Sequence, residues 1–247
     1  MEILNTEQFQ IHYQQGLEDF VDKSLNIFDN RKFLLRDLFG EECSQVDKLK
    51  VSLFTKREDF VNYIKEVSNG QTPPDWATGC FYNQEIQTLL NINNDKDVKY
   101  KIHTLTHETT HLYIQKLIYE KYKIDRIAWF DECYAGYVDG HIEKRTLKDL
   151  YDLSQLLKKW QNFDMNIVND RNKVVTDDYN GYDMFMLIGK YIFDNNLQNE
   201  YIQILINNRD DMVEIGKTIL DKSIQYIENL YKQDKEKNDE KYYINCR

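Results

Sequence analysis

Polar and apolar residues alternate over residues 8 to 15, Gln-Phe-Gln-Ile-His-Tyr-Gln-Gln, a period of two that predicts a first strand. From Leu17 to Leu38 the spacing changes: Phe20, Val21, Leu25, Phe28, Leu34 and Leu38 recur at helical intervals, and Gly40 closes the run, predicting one or two helices. Lys48 to Thr55 alternates again and predicts a second strand, followed by a helical segment, Lys56 to Val67, that Asn69-Gly70 stops. A Pro73-Pro74-Asp75-Trp76 turn leads to Gly79–Tyr82, and Glu85 to Ile92 reads as the strand that completes a hairpin. Directly after it, Lys101 to Ile118 carries Ile102, Leu105, Leu112 and Leu117 near the helical period, with no Gly or Pro. The second half is helical in pattern: Leu147 to Trp160, Tyr182 to Ile192, and amphipathic helices from Tyr201 to Tyr231. Residues 164 to 181 are Asn- and Asp-rich and read as a loop, and Lys232 to Lys241 reads as a solvated mixed-charge helix end. Strands in the first half and helices in the second predict an α+β chain, with no internal repeat.

Composition sharpens that picture. The 247 residues permit one large domain or two modest lobes, and 41% hydrophobic with 30% charged residues describes a folded chain rather than a disordered one. Only 2 prolines and 9 glycines agree with helices joined by short connections. A net charge of −10 argues against nucleic acid as a main partner, because phosphate binding needs a basic surface. No apolar run approaches ~18 residues, and the N-terminus lacks a basic region followed by an apolar core. The expectation is a chain that is neither secreted nor membrane-bound. Cys43, Cys80, Cys133 and Cys246 show no paired spacing and read as reduced thiols in a cytoplasm.

Within the Lys101–Ile118 stretch stands His107-Glu108-Thr109-Thr110-His111, or H-E-x-x-H. On a helix, positions i and i+4 lie one above the other, so both imidazoles can aim at one point, which would be a zinc ion. Glu108 is turned about a quarter of the way round the helix, placed to act as a general base on the attacking water without ligating the metal. A catalytic site needs a third protein ligand and leaves one position for water. Downstream, Ala128-Trp129-Phe130-Asp131-Glu132-Cys133-Tyr134-Ala135-Gly136-Tyr137 offers one, with 20 residues between His111 and Glu132 for a connection and a second helix beginning near Asp131.

This pairing of H-E-x-x-H with a distant W-x-x-E-x-x-A-x-Y resembles the gluzincin metallopeptidases, in particular the small peptidase-MA-like proteins and the catalytic domain of aminopeptidase-N-type enzymes. The resemblance implies that Glu132 is the third zinc ligand. It also covers the helix Tyr182–Ile192, fifty residues beyond Glu132, and implies that Tyr182 supports the oxyanion of the tetrahedral intermediate, with Tyr179 close by. It implies a gluzincin-like fold, with an N-terminal lobe (residues 1–140) carrying a small mixed sheet and the zinc helix, and a helical C-terminal lobe (141–247). Residues 78 to 92 would then form the wall along which a substrate backbone lies as an added strand. That wall lacks the G-x-M-E-N signature of the aminopeptidases. Only Glu85 could replace it in holding a free amine, and a lone glutamate there reads as exposed and solvated. The expectation is therefore an endopeptidase, with an aminopeptidase or a non-catalytic zinc-binding regulatory protein as alternatives.

Three other side chains invite a role, and each has a plainer explanation. His12 has no partner at ligand spacing and reads as a packed strand histidine. His141, in the Asp139-Gly140-His141 turn, could donate to a substrate, but turns commonly carry histidines. Cys133 follows Glu132 where the resembled family usually has glycine. It reads as a small buried hydrophobe rather than a thiol that reaches zinc or senses oxidation. The expected mechanism joins His107, His111 and Glu132 on Zn2+, Glu108 as base and Tyr182 as oxyanion donor, acting on a peptide or protein substrate.

Overall fold

A computed structural model of the chain describes residues 1–75, 77–82, 85–159, 181–207 and 211–245. One mixed sheet holds β1 (Glu2–Asn5), β2 (Phe9–Tyr13), β3 (Leu49–Phe54), β4 (Gly79–Tyr82) and β5 (Glu85–Leu89), in the order β1-β2-β3-β5-β4, the two alternating stretches being β2 and β3. β2–β3 and β3–β5 are parallel, whereas β1–β2 and β4–β5 are antiparallel. The strand at residues 8 to 15 is thus not the first: β1 precedes it. β1 buries almost nothing, Ile3 being 57% exposed, so backbone pairing rather than an apolar face holds it to β2.

β3 lies inside the sheet and is buried nearly throughout, because both its faces are covered. On one face Val51 and Leu53, with Ile11 of β2, meet Phe20 and Val21 of α1 (Glu18–Phe39) and Leu105 of α4 (Thr104–Ile114) round a void of only about 10 Å³. On the other, Phe54 packs on Phe60 and Ile64 of α2 (Arg57–Val67). α1 is a single helix, ended by Gly40 at φ +63°. α2 ends at Asn69 and Gly70, φ 56° and 94°, where the Gly70 amide donates back to the Lys65 carbonyl, a left-handed helix stop.

Between the hairpin and the motif helix the structure inserts α3 (Asp95–Lys101), and α4 begins only at Thr104, not at Lys101. Asn94 caps α3, its side chain accepting from the amides of Lys96 and Asp97 at 3.0 and 3.3 Å. At the other end Lys101, 7% exposed, donates to the Leu89 carbonyl and pairs with Asp97 at 2.9 Å, tying the helix to the end of β5. α4 then runs on into a π-helical turn, Gln115–Glu120.

Residue contacts divide the chain into two units, Met1–Leu117 and Ile118–Arg247. The division expected at Gly140 is displaced because α5 (Ala128–Val138) shares its packing with α7 (Gly181–Asp194). A Cβ on Gly189 of α7 would stand 2.9 Å from the Cys133 carbonyl oxygen, so only glycine permits this approach. The described part of the second unit is helical, adding α6 (Leu147–Lys159), α8 (Gln198–Asn207) and α9 (Met212–Asn245). Trp129, fully buried, donates from Nε1 to the Met212 carbonyl at 3.0 Å, and the Tyr134 hydroxyl reaches the Gln198 carbonyl at 2.5 Å. Burying such aromatic side chains stabilises by about 1.5–3 kcal/mol each, and their polar tips are satisfied on arrival. The loop expected over 164 to 181 lies, up to residue 180, outside the described residues. Among the described residues no helix is long and apolar enough to cross a membrane.

Candidate metal centre

Along α4 and the turn after it, Leu105, Thr106, Thr109, Thr110, Leu112, Tyr113 and Ile114 are buried, and Thr104, His107, Glu108, His111 and Gln115 are not. The second set falls on one stripe at the helical repeat, so the motif side chains occupy the only accessible face of their helix. Two of the buried threonines make no demand on neighbours: Thr109 and Thr110 donate to the Leu105 and Thr106 carbonyls at 2.6 and 2.9 Å. The His107 and His111 rings stand edge to face, centroids 4.7 Å apart, and their Nε2 atoms converge to 3.1 Å. Two imidazole nitrogens about 2.0–2.1 Å from one tetrahedral ion would be roughly 3.3 Å apart, so the pair fits zinc closely. His103, one turn earlier and 7% exposed, continues the i, i+4 series, which the sequence reading passed over.

Within the second unit Glu132 occupies the half-buried stripe of α5 with Gly136 and Tyr137, while the rest of the helix is buried. α5 starts at Ala128, three residues before the expected start, because the Asp131 amide already donates to the Ile127 carbonyl at 3.0 Å. Its carboxylate is held: Arg126 Nη2 donates to Glu132 Oε1 at 3.0 Å, and Arg126 Nε donates to Asp131. Burial alone would ease the proton off this guanidinium, but the Asp131 and Glu132 carboxylates outweigh it and raise its pKa. Tyr119 anchors the approach, accepting from the Ile127 amide at 3.1 Å, and its own pKa is pushed well up, first by burial and then by Asp131. Arg126 carried no motif signal, since a lone arginine in an irregular segment is indistinguishable from a surface charge until the chain folds back.

Cys133 is fully buried and donates to the Phe130 carbonyl at 3.2 Å, with burial pushing its thiol well above the usual range. It is the packing cysteine expected from sequence. His141 is oriented by Asp139, itself 0% exposed, which accepts from the His141 amide at 2.7 Å and faces Nδ1 at 2.6 Å. Tyr182 stands at the start of α7, as expected, 46% exposed with its ring edge-to-face against Phe185. Tyr179 lies outside the described residues. His12 sits on β2 with its pKa lowered, first by burial and then by Lys50.

Glu85 corrects an expectation. It is neither exposed nor alone: 6% exposed, it accepts from Ser52 Oγ at 2.6 Å and Tyr63 OH at 2.7 Å and pairs with Lys50 at 3.0 Å. The strand of the hairpin at the sheet edge is β4, with β5 inside it. A cavity of about 290 Å³ touches α4 through Thr109, Leu112 and Tyr113, but these point away from His107 and His111, so it is not where the motif would work.

Among the described residues, the side chains that could serve as metal ligands are His107 and His111 in the first unit and Glu132, Asp139 and His141 in the second. Two nitrogens and one carboxylate oxygen are a donor set that suits zinc and leaves a position open. Compared with family models, with curated proteins and with solved structures, the chain matches none.

Proposed function

We propose that the chain is a zinc-dependent metallopeptidase of gluzincin type, cutting within peptide or protein chains in the cytoplasm. The observation that carries this reading is the convergence of the His107 and His111 Nε2 atoms to 3.1 Å on the one accessible stripe of α4, with Glu108 on the same stripe. His107, His111 and Glu132 would hold the ion. When bound, zinc would polarise the scissile carbonyl and ease the proton off a water. Glu108 takes the proton of the attacking water and passes it to the leaving amine. Tyr182 donates its hydroxyl to the developing oxyanion.

The aminopeptidase alternative needs a carboxylate to hold a free amine. Glu85, its candidate, is already engaged by Ser52, Tyr63 and Lys50, which favours internal cleavage. A non-catalytic zinc protein would have no use for Glu108, which stands accessible beside the histidines. The test is digestion of a diverse peptide mixture by the zinc-loaded protein, read by mass spectrometry with Glu108→Gln as the blank. Internal cuts absent from the blank are expected. Equal cutting by both proteins, or zinc retained at full occupancy in His107→Ala, would overturn the reading.

A further inference from the structure

Glu132 does not stand free on α5. Arg126 lies in the extended segment just before the helix and spreads its guanidinium over two successive carboxylates, Nε on Asp131 and Nη2 on Glu132 Oε1 at 3.0 Å. The Asp131 side chain is 4% exposed and Arg126 only 25%, so this is an anchored fork rather than a surface ion pair. The segment carrying it is fixed as well, because the Ile127 amide donates to the buried Tyr119 hydroxyl. We propose that Arg126 is a positioning residue for metal binding: anchored by Asp131, it fixes the Glu132 carboxylate in place as a metal ligand. This rests on the zinc reading above.

The fork has two effects of opposite sign. A cation beside a metal ligand disfavours a second cation, whereas a fixed carboxylate spares the ordering cost of binding. Partners that orient a metal ligand typically carry 10–100-fold in affinity. Positioning by a planar, two-ended guanidinium also cannot be supplied by a lysine, which offers a point charge.

The experiment measures zinc affinity by competition with a chromophoric chelator for the wild type, Arg126→Ala, Arg126→Lys, Asp131→Asn and Glu132→Ala. The visible spectrum of the cobalt-substituted proteins and the melting temperature are recorded beside it. Expected is a roughly 10–100-fold loss of affinity in Arg126→Ala, a loss only partly restored by Arg126→Lys, with a changed cobalt spectrum. Tighter zinc binding in Arg126→Ala, or a lowered melting temperature with unchanged affinity and spectrum, would overturn the proposal while leaving the zinc site standing. Should Arg126→Ala not fold, Arg126→Lys and Asp131→Asn decide by the same readouts. Absence of zinc binding by the wild type, or full affinity in Glu132→Ala, would instead remove the zinc reading itself.

Discussion

Replacing Glu85 tests the sheet and the function together. Its carboxylate is the shared acceptor of Ser52 Oγ, Tyr63 OH and Lys50 Nζ at 2.6 to 3.0 Å, joining β3, β5 and α2. Truncation to alanine leaves the Ser52 hydroxyl, 1% exposed, without that acceptor, at about 1–3 kcal/mol. Breaking a fully buried ion pair costs about 3–5 kcal/mol, but the Lys50 side chain is 37% exposed and can turn to water, so most of that is discounted. A total of about 2–3 kcal/mol is expected for Glu85→Ala, and about 1 kcal/mol for Glu85→Gln, which keeps an acceptor of the same shape but loses the charge. Urea unfolding gives the first number as a shifted midpoint at constant slope. Hydrogen exchange at β3 and β5 amides shows that the loss is local to this sheet. A cost below about 0.5 kcal/mol for alanine, or equal costs for the two variants, would refute the assignment of Glu85 as a structural acceptor. The same glutamine variant addresses the substrate. If Glu85 held a free amine, Glu85→Gln would raise KM for peptides with free N-termini and spare acetylated ones, whereas a structural Glu85 leaves that ratio unchanged.

Two further outcomes follow from the second unit. Gly189→Ala should destabilise by about 0–2 kcal/mol: overpacking against the Cys133 carbonyl and Ile142 costs about 1–3 kcal/mol, and better helix propensity returns about 1 kcal/mol. Adding Ile142→Val should recover only part of the lost melting temperature, because the carbonyl cannot yield. Asp183, whose pKa is raised by burial with Arg145 opposing, gives a pH signature. A carboxyl with a raised folded pKa is penalised once ionised, so the penalty is absent below its unfolded value, grows as pH rises through the folded pKa, and stays above it. Asp183→Asn should therefore gain melting temperature over the wild type between about pH 4 and neutrality and match it in acid; a pH-independent difference would contradict this.

Where a residue's place depends on its near neighbours in sequence, the sequence alone decided it. The period-two runs became β2 and β3, the apolar periodicity of Leu17–Leu38 became α1, and Gly40 and Asn69-Gly70 stopped their helices, since strand and helix geometry repeat every two and 3.6 residues. The placement of His107, Glu108 and His111 on one face followed from the same local rule. What the sequence left open depends on contacts between distant segments. β1 is held by backbone pairing, which leaves no apolar signature, and α3 by an Asn94 cap and a buried Lys101, both polar. Glu85 and Lys50 lie 35 residues apart but directly opposite in register, so only strand pairing could turn a seemingly solvated glutamate into a buried acceptor. Arg126 acquired its grip on Asp131 and Glu132 only once Tyr119 had fixed the segment at Ile127. A side chain's charge is written in the sequence, but the groups that desolvate, pair or orient it are chosen by the fold.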